Sequence, residues 1–218
     1  IKGILNALNV KKSNGDFINI CMYIINTLHR DIFDKKSTLF IHGKSNTGKT
    51  TLILNILINY FGSDNVGSVI NSKNFKWQDL KDKLVGVLDE ARYNPNMSSD
   101  LLKIMGQEKI IVEKKYAKEH AEIISTPLFI LSNMLFEDKD ISINDALKNR
   151  MVVIEFINEI VKLDLNNSKN FKKKLKDEEA NIIVFCNKLF FKLKRQKSIG
   201  TRIPNEKVIK LIEKGNRG

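Results

Sequence analysis

The stretch Gly43-Lys44-Ser45-Asn46-Thr47-Gly48-Lys49-Thr50 constrains this chain more than any other. It is a complete G-x-x-x-x-G-K-[ST] loop, preceded by an apolar run over 38–42 and followed by a helical pattern over 51–60. Glycines let such a backbone curl so that successive N–H groups face a phosphate at a helix N-terminus, where the dipole favours negative charge. Gly43, Ser45, Asn46, Thr47, Gly48, Lys49, Thr50 and Thr51 are therefore the predicted nucleotide-binding set. Lys49 is expected to reach the β- and γ-phosphates of ATP, and Thr50 to hold Mg²⁺ through its hydroxyl. The competing reading is a glycine-rich β–α turn with no ligand.

Around this loop, short β-rich runs alternate with longer amphipathic ones: 38–42, 49–60, 66–70, 84–88, 98–105, 127–132, 145–149 and 151–156. Strand and helix in alternation predict a mostly parallel sheet with helices on its faces, an α/β architecture. Residues 1–36 read as helical, punctuated by a turn at Asn14-Gly15, and the pattern beyond 159 is helical again, over 178–195 and 205–214. The expected organisation is a helical segment at 1–36 for oligomerisation or linkage, an ATPase core at 37–160 and a basic helical segment at 161–218.

Length and composition fit this. The 218 residues leave room for one large domain or two small ones, and 42% apolar with 28% charged residues suits a packed core rather than disorder. No run approaches the roughly 20 apolar residues that span a bilayer, so no membrane association is expected. The chain opens on Ile1 rather than Met and is expected to be a piece of a longer protein. Cys21 and Cys186 lie in apolar helical runs and read as buried thiols of a reducing compartment rather than a disulfide. Three histidines exclude a His-rich metal site. From position 161 onward there are 16 basic against 6 acidic residues, a net +10 of the total +12. A polyanionic partner is one reading of that excess, and solvated helix faces are the other.

A P-loop needs a second acidic element. Leu84-Val85-Gly86-Val87-Leu88-Asp89-Glu90 supplies an apolar strand ending in two carboxylates. Asp89 is expected to bind Mg²⁺ and Glu90 to polarise the attacking water as general base. The pair argues for hydrolysis rather than transfer to a small acceptor. The strand over 127–132 ends in Asn133, at the place where α/β sheets bind ligands; Asn133 can bond the γ-phosphate or water, or simply turn the chain. Arg150 sits at a helix-to-strand junction and by itself reads as a surface salt bridge.

In this order and at these distances, the elements closely resemble superfamily 3 helicases, those of the papillomavirus replicative and parvovirus non-structural proteins. The resemblance runs over about 17–156. It rests on Lys35-Lys36-Ser37-Thr38-Leu39, the loop, Ile70-Asn71-Ser72-Lys73 with Phe75 and Trp77, Leu88-Asp89-Glu90-Ala91, Thr126-Pro127-Leu128, Ser132-Asn133 and Asn149-Arg150-Met151-Val152-Val153. It implies an AAA+ type ATPase assembled as a ring, commonly a hexamer, with ATP between neighbouring subunits. Lys49, Thr50, Asp89, Glu90 and Asn133 would come from one subunit, with Arg150 reaching in from the next as an arginine finger. Such a finger is worth about 10³–10⁵ in rate.

The resemblance also implies a nucleic-acid-binding hairpin, with strands at 109–113 and 119–124 around Lys114, Lys115, Tyr116, Ala117 and Lys118. Lys115 matches the tip lysine; Tyr116 stands where papillomavirus proteins carry histidine, and can stack on a base. Local propensity favours helix over 113–122, but the β-branched flanks Ile110-Ile111-Val112 and Ile123-Ile124 favour the hairpin. Phe75 and Trp77 read as core rather than base-stacking residues. Lys172-Lys173-Lys174 and the cluster Lys192, Lys194, Arg195 and Lys197 read as nucleic-acid contacts, a nuclear signal or an exposed helix face.

The implied function is ATP-driven 3′-to-5′ translocation on single-stranded DNA during replication of a small DNA virus in the host nucleus. An origin-binding or nicking domain would lie upstream. A packaging or remodelling motor, an RNA helicase, and a module holding ATP without turnover are the alternatives.

Overall fold

Strands that read as unbroken apolar runs are buried on both faces, the usual state of a parallel sheet covered by helices. In the computed structural model the described residues are 13–28, 38–70, 77–91, 95–112, 120–133, 146–147, 150–156 and 165–195. The elements are α1 (Ser13–Leu28), β1 (Thr38–Gly43), α2 (Lys49–Phe61), β2 (Val66–Ile70), β3 (Val85–Asp89), α3 (Pro95–Gly106), β4 (Lys109–Val112), β5 (His120–Ile123), β6 (Leu128–Ser132), β7 (Met151–Phe156) and α4 (Leu165–Arg195), with 3₁₀ turns at Ser63–Asn65 and Trp77–Leu80.

Five strands form one sheet in the order β2-β3-β6-β1-β7. β2 with β3, β3 with β6, and β6 with β1 are parallel, in registers that place Ile70 beside Asp89, Leu88 beside Ile130 and His42 beside Ser132. The C-terminal tips of β3, β6 and β1 therefore lie side by side, the edge at which such sheets hold ligands. The expected α/β class, with its central mostly parallel sheet, is what the structure shows.

Leu39, Ile41, Val85, Val87, Phe129 and Ile130 are fully enclosed. α2 turns Leu52, Ile53, Ile56, Leu57 and Phe61 inward. Trp77 belongs to the core, as expected, and its indole N–H donates to Asp100 Oδ2 on α3 at 3.0 Å. The 3₁₀ turn bearing Trp77 packs tightly on the sheet: a Cβ at Gly67 would meet the Asp79 carbonyl oxygen at 2.7 Å. β4 and β5 pair antiparallel in a separate two-stranded sheet, so the β-branched flanks overrode helix propensity. Ile110 and Val112 face inward, and Ile111 and Ile123 outward.

The chain divides into two compact units, Ile1–Lys35 with Ser45–Gly48 and Glu155–Gly218, and Lys36–Lys44 with Lys49–Ile154. In the first, α1 packs against α4. Cys21 and Cys186 are both buried and free, as anticipated, and burial with a hydrogen bond between them pushes the Cys21 thiol well up.

Three expectations need correction. Asn14-Gly15 is not a turn but lies in the first turn of α1, where missing intrahelical partners make helix-poor residues cheap. α3 starts at Pro95 rather than 98, proline being suited to a first helical position. α4 starts at Leu165, thirteen residues before 178, because the intervening lysines and leucines are good helix formers even without an apolar stripe. The pattern over 205–214 lies outside the described residues.

Candidate functional site

The loop from β1 to α2 has the backbone its glycines predict. Gly43 and Gly48 take φ of 150° and 79°, and Asn46, one of the residues most tolerant of the left-handed region, takes 63°. Ser45 and Asn46 are exposed, Thr47 is buried, and Thr50 and Thr51 are partly buried on the first turn of α2.

Lys49 is only 6% exposed, and its ammonium donates to the carbonyls of Gly43 at 2.7 Å and Lys44 at 2.8 Å and to Asn133 Oδ1 at 3.1 Å. Burial pulls the Lys49 ammonium below its ordinary value of 10.5, partly offset by the attraction of the Asp89 carboxylate. Thr50 Oγ1 donates to Asp89 Oδ1 at 3.0 Å, and the Glu90 N–H donates to the same oxygen at 2.9 Å. Glu90 itself is exposed at φ 50°. The structure thus brings Lys49, Thr50, Asp89 and Asn133 together from three adjacent strand tips, with Glu90 one residue beyond. Those tips can hold a triphosphate, with a lysine for its charge and a carboxylate beside it.

Thr50 and Asp89 present adjacent hard oxygens, the donor chemistry Mg²⁺ prefers, and one carboxylate with a hydroxyl suits an ion that keeps its waters and takes further oxygens from the nucleotide. Among the described residues there is no cluster of three or more His, Cys, Asp or Glu side chains that would hold a metal on protein ligands alone.

Arg150 is elsewhere. It precedes β7, is exposed, and its Nη1 donates to the Leu102 carbonyl of α3 at 3.2 Å, so no hydrogen bond joins it to the Lys49 cluster. Lys114, Lys115, Tyr116 and Lys118 lie outside the described residues, between β4 and β5. Sequence reasoning gave no role of its own to Ser132, whose hydroxyl donates to the Ala91 carbonyl at 2.7 Å. The available signal was a lone hydroxyl closing the otherwise apolar Leu128–Ser132 strand.

A family model described as parvovirus non-structural protein NS1 matches residues 10–196. The chain belongs to that family. The resemblance read from the loop, the Asp-Glu strand and the Ser-Asn strand to superfamily 3 viral helicases is correct. This NS1-family chain is 29% identical over 126 residues to replication protein E1 of human papillomavirus type 61, covering 56% of the chain and 19% of that protein. It is likewise 29% identical over 103 residues to protein Rep52 of adeno-associated virus 2, covering 46% and 25%. The chain therefore spans a quarter or less of these curated relatives. Its fold is similar to that of the apo A form of the NrS-1 C-terminal region (TM-score 0.59, 18% identity, 95% of this chain and 47% of that one). It is also similar to the X-ray structure of JCV helicase (TM-score 0.52, 14% identity, 98% and 59%). No helix among the described residues is long and apolar enough to cross a membrane.

Proposed function

We propose that this chain is the ATPase core of a DNA helicase in a small-DNA-virus replication protein, moving 3′ to 5′ on single-stranded DNA as a ring-shaped oligomer, commonly a hexamer. The observation that carries the proposal is the joining of Lys49 to Asn133 and of Thr50 to Asp89 at three adjacent strand tips. Family membership, and relatives named as viral replication proteins, support the DNA substrate.

In this reading Lys49 exchanges the Gly43 and Lys44 carbonyls for β- and γ-phosphate oxygens, while Gly43, Ser45, Asn46, Thr47, Gly48 and Thr51 shape the loop around them. Thr50 and Asp89 would hold Mg²⁺, which neutralises phosphate charge when bound. Glu90 draws a proton from the attacking water, and Asn133 orients the γ-phosphate or that water. Arg150 of one subunit completes the neighbour's site, so turnover depends on assembly. Lys114, Lys115, Tyr116 and Lys118 grip the DNA backbone from the hairpin loop. Residues 1–36 serve oligomerisation or linkage, 37–160 form the core, and 161–218 add a basic helical segment. Further domains of the parent protein, for origin binding or nicking, lie upstream, and the site of action is the host nucleus.

The test is phosphate release together with strand displacement on DNA and RNA duplexes with 3′ or 5′ tails. Unwinding of DNA led by the 3′ tail is expected. Hydrolysis with translocation but no unwinding would favour a packaging motor, unwinding confined to RNA would favour an RNA helicase, and binding without phosphate release would overturn the enzyme reading.

A further inference from the structure

We infer that Ser132 is a positioning residue for hydrolysis, holding Glu90 in its working conformation through the backbone of Ala91. The inference rests on the reading of Glu90 as general base.

Glu90 has φ 50°, a conformation that L residues avoid because Cβ crowds the backbone, and one that persists only where the surroundings enforce it. The enforcement comes from both sides. Before it, Asp89 closes β3 in register with Ile70, and its carboxylate accepts the Glu90 N–H. After it, Ala91 is clamped to β6 at both backbone groups: its N–H donates to the Leu131 carbonyl at 2.9 Å, and its carbonyl accepts from Ser132 Oγ at 2.7 Å. Ala91 and Ser132 are each 2% exposed, so water does not compete for the second bond. Asp89 is engaged with Thr50, while Ser132 bonds the backbone just beyond Glu90. The next residue, Asn133, just past β6, bonds Lys49, so neighbouring positions at this strand tip hold the proposed phosphate-binding lysine and the proposed base.

Removing the hydroxyl while keeping the strand should let the Glu90 carboxylate wander without disturbing nucleotide binding. Misplacement on the ångström scale can cost about a hundredfold in rate. Ser132→Ala in the full chain, with ATP and single-stranded DNA, should lower kcat by at least about tenfold, with KM and the Kd of a non-hydrolysable ATP analogue within about twofold of the parent. Ser132→Thr, which restores a hydroxyl, should recover most of the rate. If threonine crowds this enclosed position and the variant does not fold, Ser132→Cys, with its weaker donor, should fall between alanine and serine.

The decisive readout is a double-mutant cycle. If Ser132 acts through Glu90, Ser132→Ala in a Glu90→Gln background should change the residual turnover by less than about twofold. Losses that multiply, kcat near the parent value in Ser132→Ala, or a loss of nucleotide affinity matching the loss of rate would each overturn the inference. Full turnover by Glu90→Gln alone would instead overturn the reading of Glu90 itself.

Discussion

Lys49 and Asn133, 84 residues apart in sequence, meet at 3.1 Å between the ammonium and the amide oxygen. The bond exists because β6 lies next to β1, so the tip of one strand faces the loop that follows the other. The residue proposed to orient the γ-phosphate and the lysine proposed to bind it are therefore in direct contact.

The two partners should separate kinetically. Lys49→Ala is expected to abolish nucleotide binding, since it removes the buried cation. Asn133→Ala leaves the Gly43 and Lys44 carbonyls to hold the lysine, so analogue binding should stay within a few-fold while kcat falls by about 10²-fold. Titration with a fluorescent ATP analogue alongside phosphate release checks both.

Nucleotide affinity should weaken on the alkaline side earlier than an ordinary lysine would dictate. Burial lowers the Lys49 pKa in the free protein, whereas bound phosphates favour the charged form and raise it. Below the free-protein value both states carry the proton and affinity is flat. Above it, binding must take up a proton, and Kd should rise by about tenfold per pH unit until the bound-state value is passed. Calorimetry in buffers of different ionisation heat would show proton uptake along that limb and none below it.

Gly67→Ala should destabilise the fold without touching the site. Its Cβ would lie 2.7 Å from the Asp79 carbonyl oxygen, a backbone atom that cannot swing aside. Overpacking of this kind costs about 1–3 kcal/mol, or a melting shift of about 2–4 °C per kcal/mol in a chain this size. Circular dichroism melts would register it.

Arg150→Ala is expected to bind ATP normally but hydrolyse it at least about 10³-fold more slowly. Its bond to the Leu102 carbonyl is exposed, so stability should change by less than about 1 kcal/mol. Mixing it with Lys49→Ala chains should restore part of the turnover, because mixed neighbours supply one intact site. Absence of rescue would count against a shared site.

Binding to single-stranded DNA should weaken with salt, with a log–log slope near −4 if six Lys115 side chains each meet a phosphate (~0.7 per contact). A slope unchanged in Lys115→Ala would remove the hairpin assignment.

Much of this was legible in the chain. The apolar β-branched runs announced strands, and the glycine pair announced the loop, because φ of 150° and 79° at Gly43 and Gly48 is a demand that residue type reveals. Asp89 and Asn133 could be placed at strand tips from the polar residue ending each run. What could not be read depends on strand order. The Lys49–Asn133 contact and the Ser132 clamp on Ala91 require β3, β6 and β1 to be neighbours, although β6 follows β3 by nearly 40 residues. The early start of α4 was hidden because a charged stretch can be helical without an apolar stripe to betray it. Gly67 was hidden because its need is for space against Asp79, not for an unusual dihedral.

The fastening of the chain on either side of Glu90 has one more consequence. With Asp89 fixed to β2 and the P-loop threonine, and Ala91 fixed to β6, the distance to be bridged is set and one residue bridges it. An insertion or deletion there would break an anchor or turn the acid to another side of the sheet edge. The identity of residue 90 can be exchanged as a chemical experiment, but the length of that segment cannot vary freely among proteins that keep this site.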